Sequence, residues 1–92
     1  MATETVALEG ELDFETAFDV EMRIEQAISR ADAVVVDLSG LDFIDSTGIR
    51  TLLEAMKAAE RERTPLEIRP GKPEVQRIFE VAGLLDALPF AA

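Results

Sequence analysis

Val34-Val35-Val36-Asp37-Leu38-Ser39-Gly40-Leu41-Asp42-Phe43-Ile44-Asp45-Ser46-Thr47-Gly48-Ile49 is the stretch on which the reading of this chain turns. It opens with a β-branched run, Ala33 to Val36, of the kind expected for a strand covered on both faces and lying inside an α/β sheet. The run ends in Asp37-Leu38-Ser39-Gly40, and Leu41 to Asp45 reads as a loop. Beyond it Ile49, Leu52, Leu53, Met56 and Ala59 repeat at helical spacing. The helix carries Lys57, Arg61 and Arg63 toward its end, where they suit the macrodipole, and Pro65 stops it. A central strand thus delivers the hydroxyl pair Ser46-Thr47 to the start of a helix. Unpaired N–H groups and the positive end of the dipole favour an oxygen acceptor there, so Ser46 or Thr47 suits an N-cap and could also carry a phosphate. Gly48 leaves the approach free of a side chain. Taken alone, Asp-Ser-Thr-Gly before an amphipathic run is equally an ordinary helix start.

The flanking sequence extends the alternation. Upstream, Thr5 to Glu9 reads as a short half-buried strand closed by Gly10. From about Glu15 to Arg30, Ala17, Val20, Ile24, Ala27, Ile28 and Ala31 form the apolar face of a first helix. Phe14, Phe18 and Met22 make a second stripe four residues apart, which reads mainly as peripheral core and in part as a contact surface. Downstream, Leu66-Glu67-Ile68 is a brief strand and Pro70-Gly71 a turn. Pro73 opens a third helix with Val75, Ile78, Phe79 and Ala82 turned inward and Gly83 as its C-cap. Leu84, Leu85, Leu88 and Phe90 close the core. Strand, helix, strand, helix, strand, helix is the order of an α/β layer with right-handed crossovers.

Composition narrows the function. The chain has 92 residues, enough for one small domain over 1–92. With 19 acidic residues against 9 basic, its formal charge is −10, which disfavours attraction to a nucleic-acid backbone. Such a charge suits a partner with a positive face. Cys and His are both absent, so there is no disulfide, no thiolate nucleophile and no imidazole or thiolate metal site. No run reaches the roughly 20 apolar residues of a membrane span, and the N-terminus lacks a basic leader. These features point to a cytoplasmic protein without membrane insertion. Asp13, Asp37, Asp42 and Asp45 could be imagined as an Mg²⁺ site like that of a phospho-accepting receiver domain. However, an acidic pair after the first strand and a lysine after a late one are missing.

Three motifs in order, Gly10-Glu11-Leu12-Asp13, Val36-Asp37-Leu38-Ser39 and Phe43-Ile44-Asp45-Ser46-Thr47-Gly48, give the chain a resemblance to the STAS-domain family of bacterial anti-sigma factor antagonists. A looser match runs through Arg77-Ile78-Phe79-Glu80-Val81-Ala82-Gly83-Leu84, and the likeness covers about Val6 to Phe90. It implies a small single-domain α/β fold with a central mixed β-sheet, shortened at both termini. It implies a non-catalytic regulator of transcription without metal or cofactor, whose partner is an anti-sigma factor with serine kinase activity. By that resemblance Ser46 is the phosphorylation site, with Thr47 second, and phosphorylation inactivates the protein. Asp13, Asp45, Ser46, Thr47, Gly48 and Arg50 would meet the partner, although Arg50 stands where the family commonly has a small residue. STAS domains also serve as non-phosphorylated docking subunits of membrane transport assemblies, which is the alternative reading.

Overall fold

Strand β2 (Ala33–Ile44) is the axis of the protein: β1 (Thr3–Leu12) and β3 (Leu66–Arg69) pair with it on either side, giving the order β1-β2-β3. The computed structural model describes residues 2–91. Between the strands run α1 (Ala17–Arg30) and α2 (Ser46–Glu62), and α3 (Pro73–Val81) follows β3. Both strand pairs are parallel, with Val6 opposite Val36 and Val36 opposite Ile68. The expected mixed sheet is therefore corrected to a parallel one among the described residues. The cause is connectivity, because each crossover helix returns the chain to the same end of the sheet. Past β3, Ile68 donates its N–H to the Pro89 carbonyl and accepts from Ala91 N–H, each at 2.8 Å. Phe90 thereby bridges beside β3 in the same parallel sense.

Val34, Val36, Leu38, Val6, Leu8 and Ile68 point to one face of the sheet and are buried. Two crossovers stepping in the same direction place α1 and α2 together on that face. Into it the helices send Val20, Ile24, Ala27 and Ile28 from α1, Leu52, Ala55 and Ala59 from α2, and Val75 and Phe79 from α3. The Phe79 and Phe90 rings meet edge to face, with centroids 5.1 Å apart. On the opposite face Thr5, Ala7, Glu67 and Arg69 are exposed, and Val35 and Asp37 are half-buried. The β-branched run is thus central, as expected, but covered on one face only. Asp37 accepts from Ser39 N–H at 2.9 Å and pairs with Arg69 at 3.5 Å, tying β2 to β3 across that open face.

β1 and β2 both run further than their sequences suggest. Their pairing continues to Leu12 opposite Ile44, through irregularities between Ala7 and Glu9 and between Gly10 and Glu11. Gly10 does not end the strand; it takes φ +73°, and the extra residues on β2 bring Leu38, Leu41 and Ile44 inward at intervals of three. The loop read at Leu41 to Asp45 is therefore mostly strand. α2 ends at Arg63, a non-glycine residue at φ 56°, where Thr64 N–H bonds to the Ala59 carbonyl and Arg63 N–H to Glu60. α3 closes in the same way with Gly83 in the left-handed position and Leu84 N–H on the Phe79 carbonyl. Of the residues expected inside, Ala82 and Leu85 are exposed.

Candidate functional site

Leu12 and Ile44 are the last paired residues of β1 and β2, so Asp13 and Asp45 leave the sheet side by side at its C-terminal edge. Asp45 N–H donates to the Leu12 carbonyl at 3.2 Å, which holds the two chain segments together there. The Asp45 side chain then accepts from Gly48 N–H at 3.0 Å. Asp45, extended at φ −117° and ψ −172°, is thus the N-cap of α2. This corrects the expectation that Ser46 or Thr47 caps the helix. Ser46 is the first helical residue and is exposed, and Thr47 is half-buried. Among the described residues the Ser46 hydroxyl has no hydrogen-bond partner within the chain.

Asp13 organises the turn ahead of α1, whose N-cap residue is Thr16. The Asp13 carboxylate accepts from Glu15 N–H at 3.0 Å and Thr16 N–H at 3.1 Å, while the Thr16 hydroxyl accepts from Asp13 N–H at 2.9 Å. The exchange is reciprocal, like that of a capping box, but it closes the turn before α1 rather than the first turn of the helix. Thr16 was not singled out from the sequence. The signal lay in Asp13-Phe14-Glu15-Thr16, a side-chain acceptor followed three residues later by a hydroxyl.

Gly48 faces inward and is buried. A Cβ there would meet the Leu12 carbonyl oxygen at 2.5 Å and Ile44 Cγ1 at 2.7 Å, so the glycine lets the first turn of α2 seat on the sheet. It does not clear a path to the serine, and it offers no side chain to a partner. Arg50 is exposed, lies one turn from Ser46 on the same side of α2, and has no ion-pair partner within 4.0 Å among the described residues. The structure therefore brings Asp13, Asp45, Ser46 and Thr47 to one edge of the sheet, with Arg50 above them and Gly48 beneath.

The carboxylates imagined as a metal site are spread over separate tasks. Asp37 bonds to Ser39 and Arg69, Asp42 pairs with Lys72, Asp13 holds the turn before α1, and Asp45 caps α2. The Ser39 backbone N–H, then the Ser39 hydroxyl and Arg69, hold the Asp37 carboxyl below the usual carboxylate range. Among the described residues no three His, Cys, Asp or Glu side chains cluster as metal ligands. Nor is any helix among them long and apolar enough to cross a membrane.

This edge sets a solvent-facing serine on the first turn of a helix seated against parallel strands, the arrangement of an α/β domain whose helix start is open to solvent. The chain belongs to the STAS-domain family, whose model matches residues 3–92. It is 31% identical over 86 residues to the anti-sigma F factor antagonist of Paenibacillus polymyxa, covering 91% of this chain and 74% of that protein. An anti-sigma factor antagonist from Mycobacterium paratuberculosis has the same fold with a TM-score of 0.81 at 28% identity, over 94% of this chain and 74% of that one. The antagonist SpoIIAA in its unphosphorylated form superposes with a TM-score of 0.77 at 23% identity, over 100% and 83% of the two chains. A STAS domain of a SulP transporter from Vibrio cholerae shares the fold too, with a TM-score of 0.72 at 21% identity, over 96% and 71%.

Proposed function

We propose that this protein, with residues 1–92 acting as one domain in the cytoplasm, is an anti-sigma factor antagonist. It binds an anti-sigma factor that is also a serine kinase, and phosphorylation of Ser46 ends the complex. The observation that carries the proposal is the state of Ser46: exposed, at the first position of α2, and relieved of capping duty by Asp45. The resemblance to named antagonists supports the same reading.

A kinase partner must aim the phosphates of its nucleotide at the Ser46 hydroxyl. In the transfer the serine oxygen forms a bond to the γ-phosphorus, the bond to the β–γ bridging oxygen breaks, ADP leaves, and the hydroxyl proton passes to a base of the kinase. The product carries about −1.5 to −2 charges where a neutral hydroxyl stood, facing the phosphates of ADP across a desolvated contact. Two unit charges about 5 Å apart repel by roughly 3 kcal/mol at an effective dielectric of 20. That corresponds to a weakening of about 150-fold. It is enough to release a micromolar complex.

Titration calorimetry against the anti-sigma factor kinase tests the switch. Ser46→Ala should bind and take up no phosphate, Ser46→Asp should bind about tenfold more weakly, and phosphorylated protein about a hundredfold more weakly or worse. Equal affinities for all three forms would leave a docking module of the kind used in transport assemblies. Mass spectrometry that puts the phosphate on Ser29 or Ser39 would overturn the site.

A further inference from the structure

α1 and the turn that leads into it carry two apolar stripes, and the fold buries only one. Ala17, Val20, Ile24, Ala27 and Ile28 enter the core, whereas Phe14, Phe18 and Met22 stay 77%, 74% and 40% exposed. The sequence reading of this stripe as peripheral core is thereby corrected. At about 100° per residue, Phe18, Met22, Glu25 and Ser29 fall on one side of α1. Glu25 and Ser29 border a groove whose far wall is Ala58, Arg61 and Glu62 of α2. Phe18 and Met22 therefore continue the α1 wall toward the helix N-terminus. The α2 wall runs back from Ala58 through Glu54 and Thr51 to Thr47 at spacings of three and four. Both helices start at the C-terminal edge of adjacent parallel strands, so Phe14 and Phe18 stand at the Ser46 end of α2.

Single exposed apolar side chains are ordinary, but Phe18 and Met22 on one side of α1, with Phe14 exposed in the turn just before it, make a row of three that has no cover within the chain among the described residues. Its surroundings indicate what covers it. From Glu9 to Glu25 the chain carries Glu9, Glu11, Asp13, Glu15, Asp19, Glu21 and Glu25 against Arg23 alone, and Arg23 donates to the Ala7 carbonyl at 3.0 Å. A second copy of the chain would set these carboxylates against one another. An apolar surface rimmed by Lys and Arg meets both the ridge and its border.

We infer that Phe14, Phe18 and Met22 anchor the anti-sigma factor, which seats an apolar, basic-rimmed surface on the α1 side of the edge while its nucleotide faces Ser46. This inference rests on the antagonist reading and adds to it the position and chemistry of the contact. Because the phosphorylated position lies beside the ridge, the apolar anchor supplies affinity and the serine alone carries the switch.

The test compares wild type, Phe14→Ser/Phe18→Ser and Ser46→Asp by calorimetry against the purified anti-sigma factor, with melting curves of each. The double variant should melt like wild type and bind about tenfold more weakly or worse. Wild-type affinity should fall as salt rises. Unchanged binding by the double variant, with Ser46→Asp weakened, overturns the ridge and keeps the switch. Loss of binding only on Phe14→Ser/Phe18→Ser, with Ser46→Asp unaffected, keeps the ridge and removes the switch. Absence of binding by wild type removes both. Concentration-dependent self-association abolished by the double variant would assign the ridge to a second copy instead. If the double variant has no melting transition, Phe18→Ser and Met22→Ser are read singly by the same criteria.

Discussion

Gly48 sets how closely α2 approaches the sheet. A methyl group there would stand 2.5 Å from the Leu12 carbonyl oxygen and 2.8 Å from Leu12 Cγ, inside packed backbone and core that cannot yield cheaply. Gly48→Ala brings up to about 1 kcal/mol of helix propensity but forces the helix outward at a typical cost of about 1–3 kcal/mol. Sterics win, because the collision is with backbone rather than with the tip of a flexible side chain. Chemical denaturation should show Gly48→Ala destabilised by about 1–2 kcal/mol net; equal or greater stability would disprove the packing role. The sequence located this glycine at a helix start, yet its partner Leu12 lies on another strand. Its packing role was therefore invisible in the local motif.

Among the elements, α2 was legible because its apolar residues recur at helical spacing, and Ser46 was placed at its start. The cap was not: with Asp, Ser and Thr adjacent, all three are good N-caps, and only the extended backbone at Asp45 decides among them. The assignment predicts that Asp45→Ala costs about 1 kcal/mol while Ser46→Ala costs about none. Thermal melts of the two variants check this directly, and the reverse order would return the cap to Ser46. The second half of β2 was misread as loop for a related reason. Bulged pairing sets Leu38, Leu41 and Ile44 three apart, a spacing that fits neither strand alternation nor a helix long enough to hold. Phe14 and Phe18 were read as peripheral core because periodicity reports which residues share a side, not whether anything packs against it.

For the molecule as a whole, the α/β alternation and the central place of the valine run followed from pattern alone. Strand direction and the uncovered face depended on connections and packing across the sheet. That open face gives Asp37 a measurable role. Its folded-state pKa is lowered, chiefly by the Ser39 N–H, so the unfolded chain takes up a proton more readily than the native one. The stabilisation is complete above the unfolded value of about 3.9 and drains as pH falls through it to the lower native value. The melting temperature of wild type should therefore fall more steeply below about pH 4 than that of Asp37→Asn, the gap between the two closing in acid. Parallel curves would show that Asp37 contributes nothing of this kind. The Ser46 hydroxyl is the converse case: among the described residues no hydrogen bond within the chain holds it. The phosphorylation proposed at Ser46 would cost the described fold no hydrogen bond, so its message would have to be read at the surface of the chain.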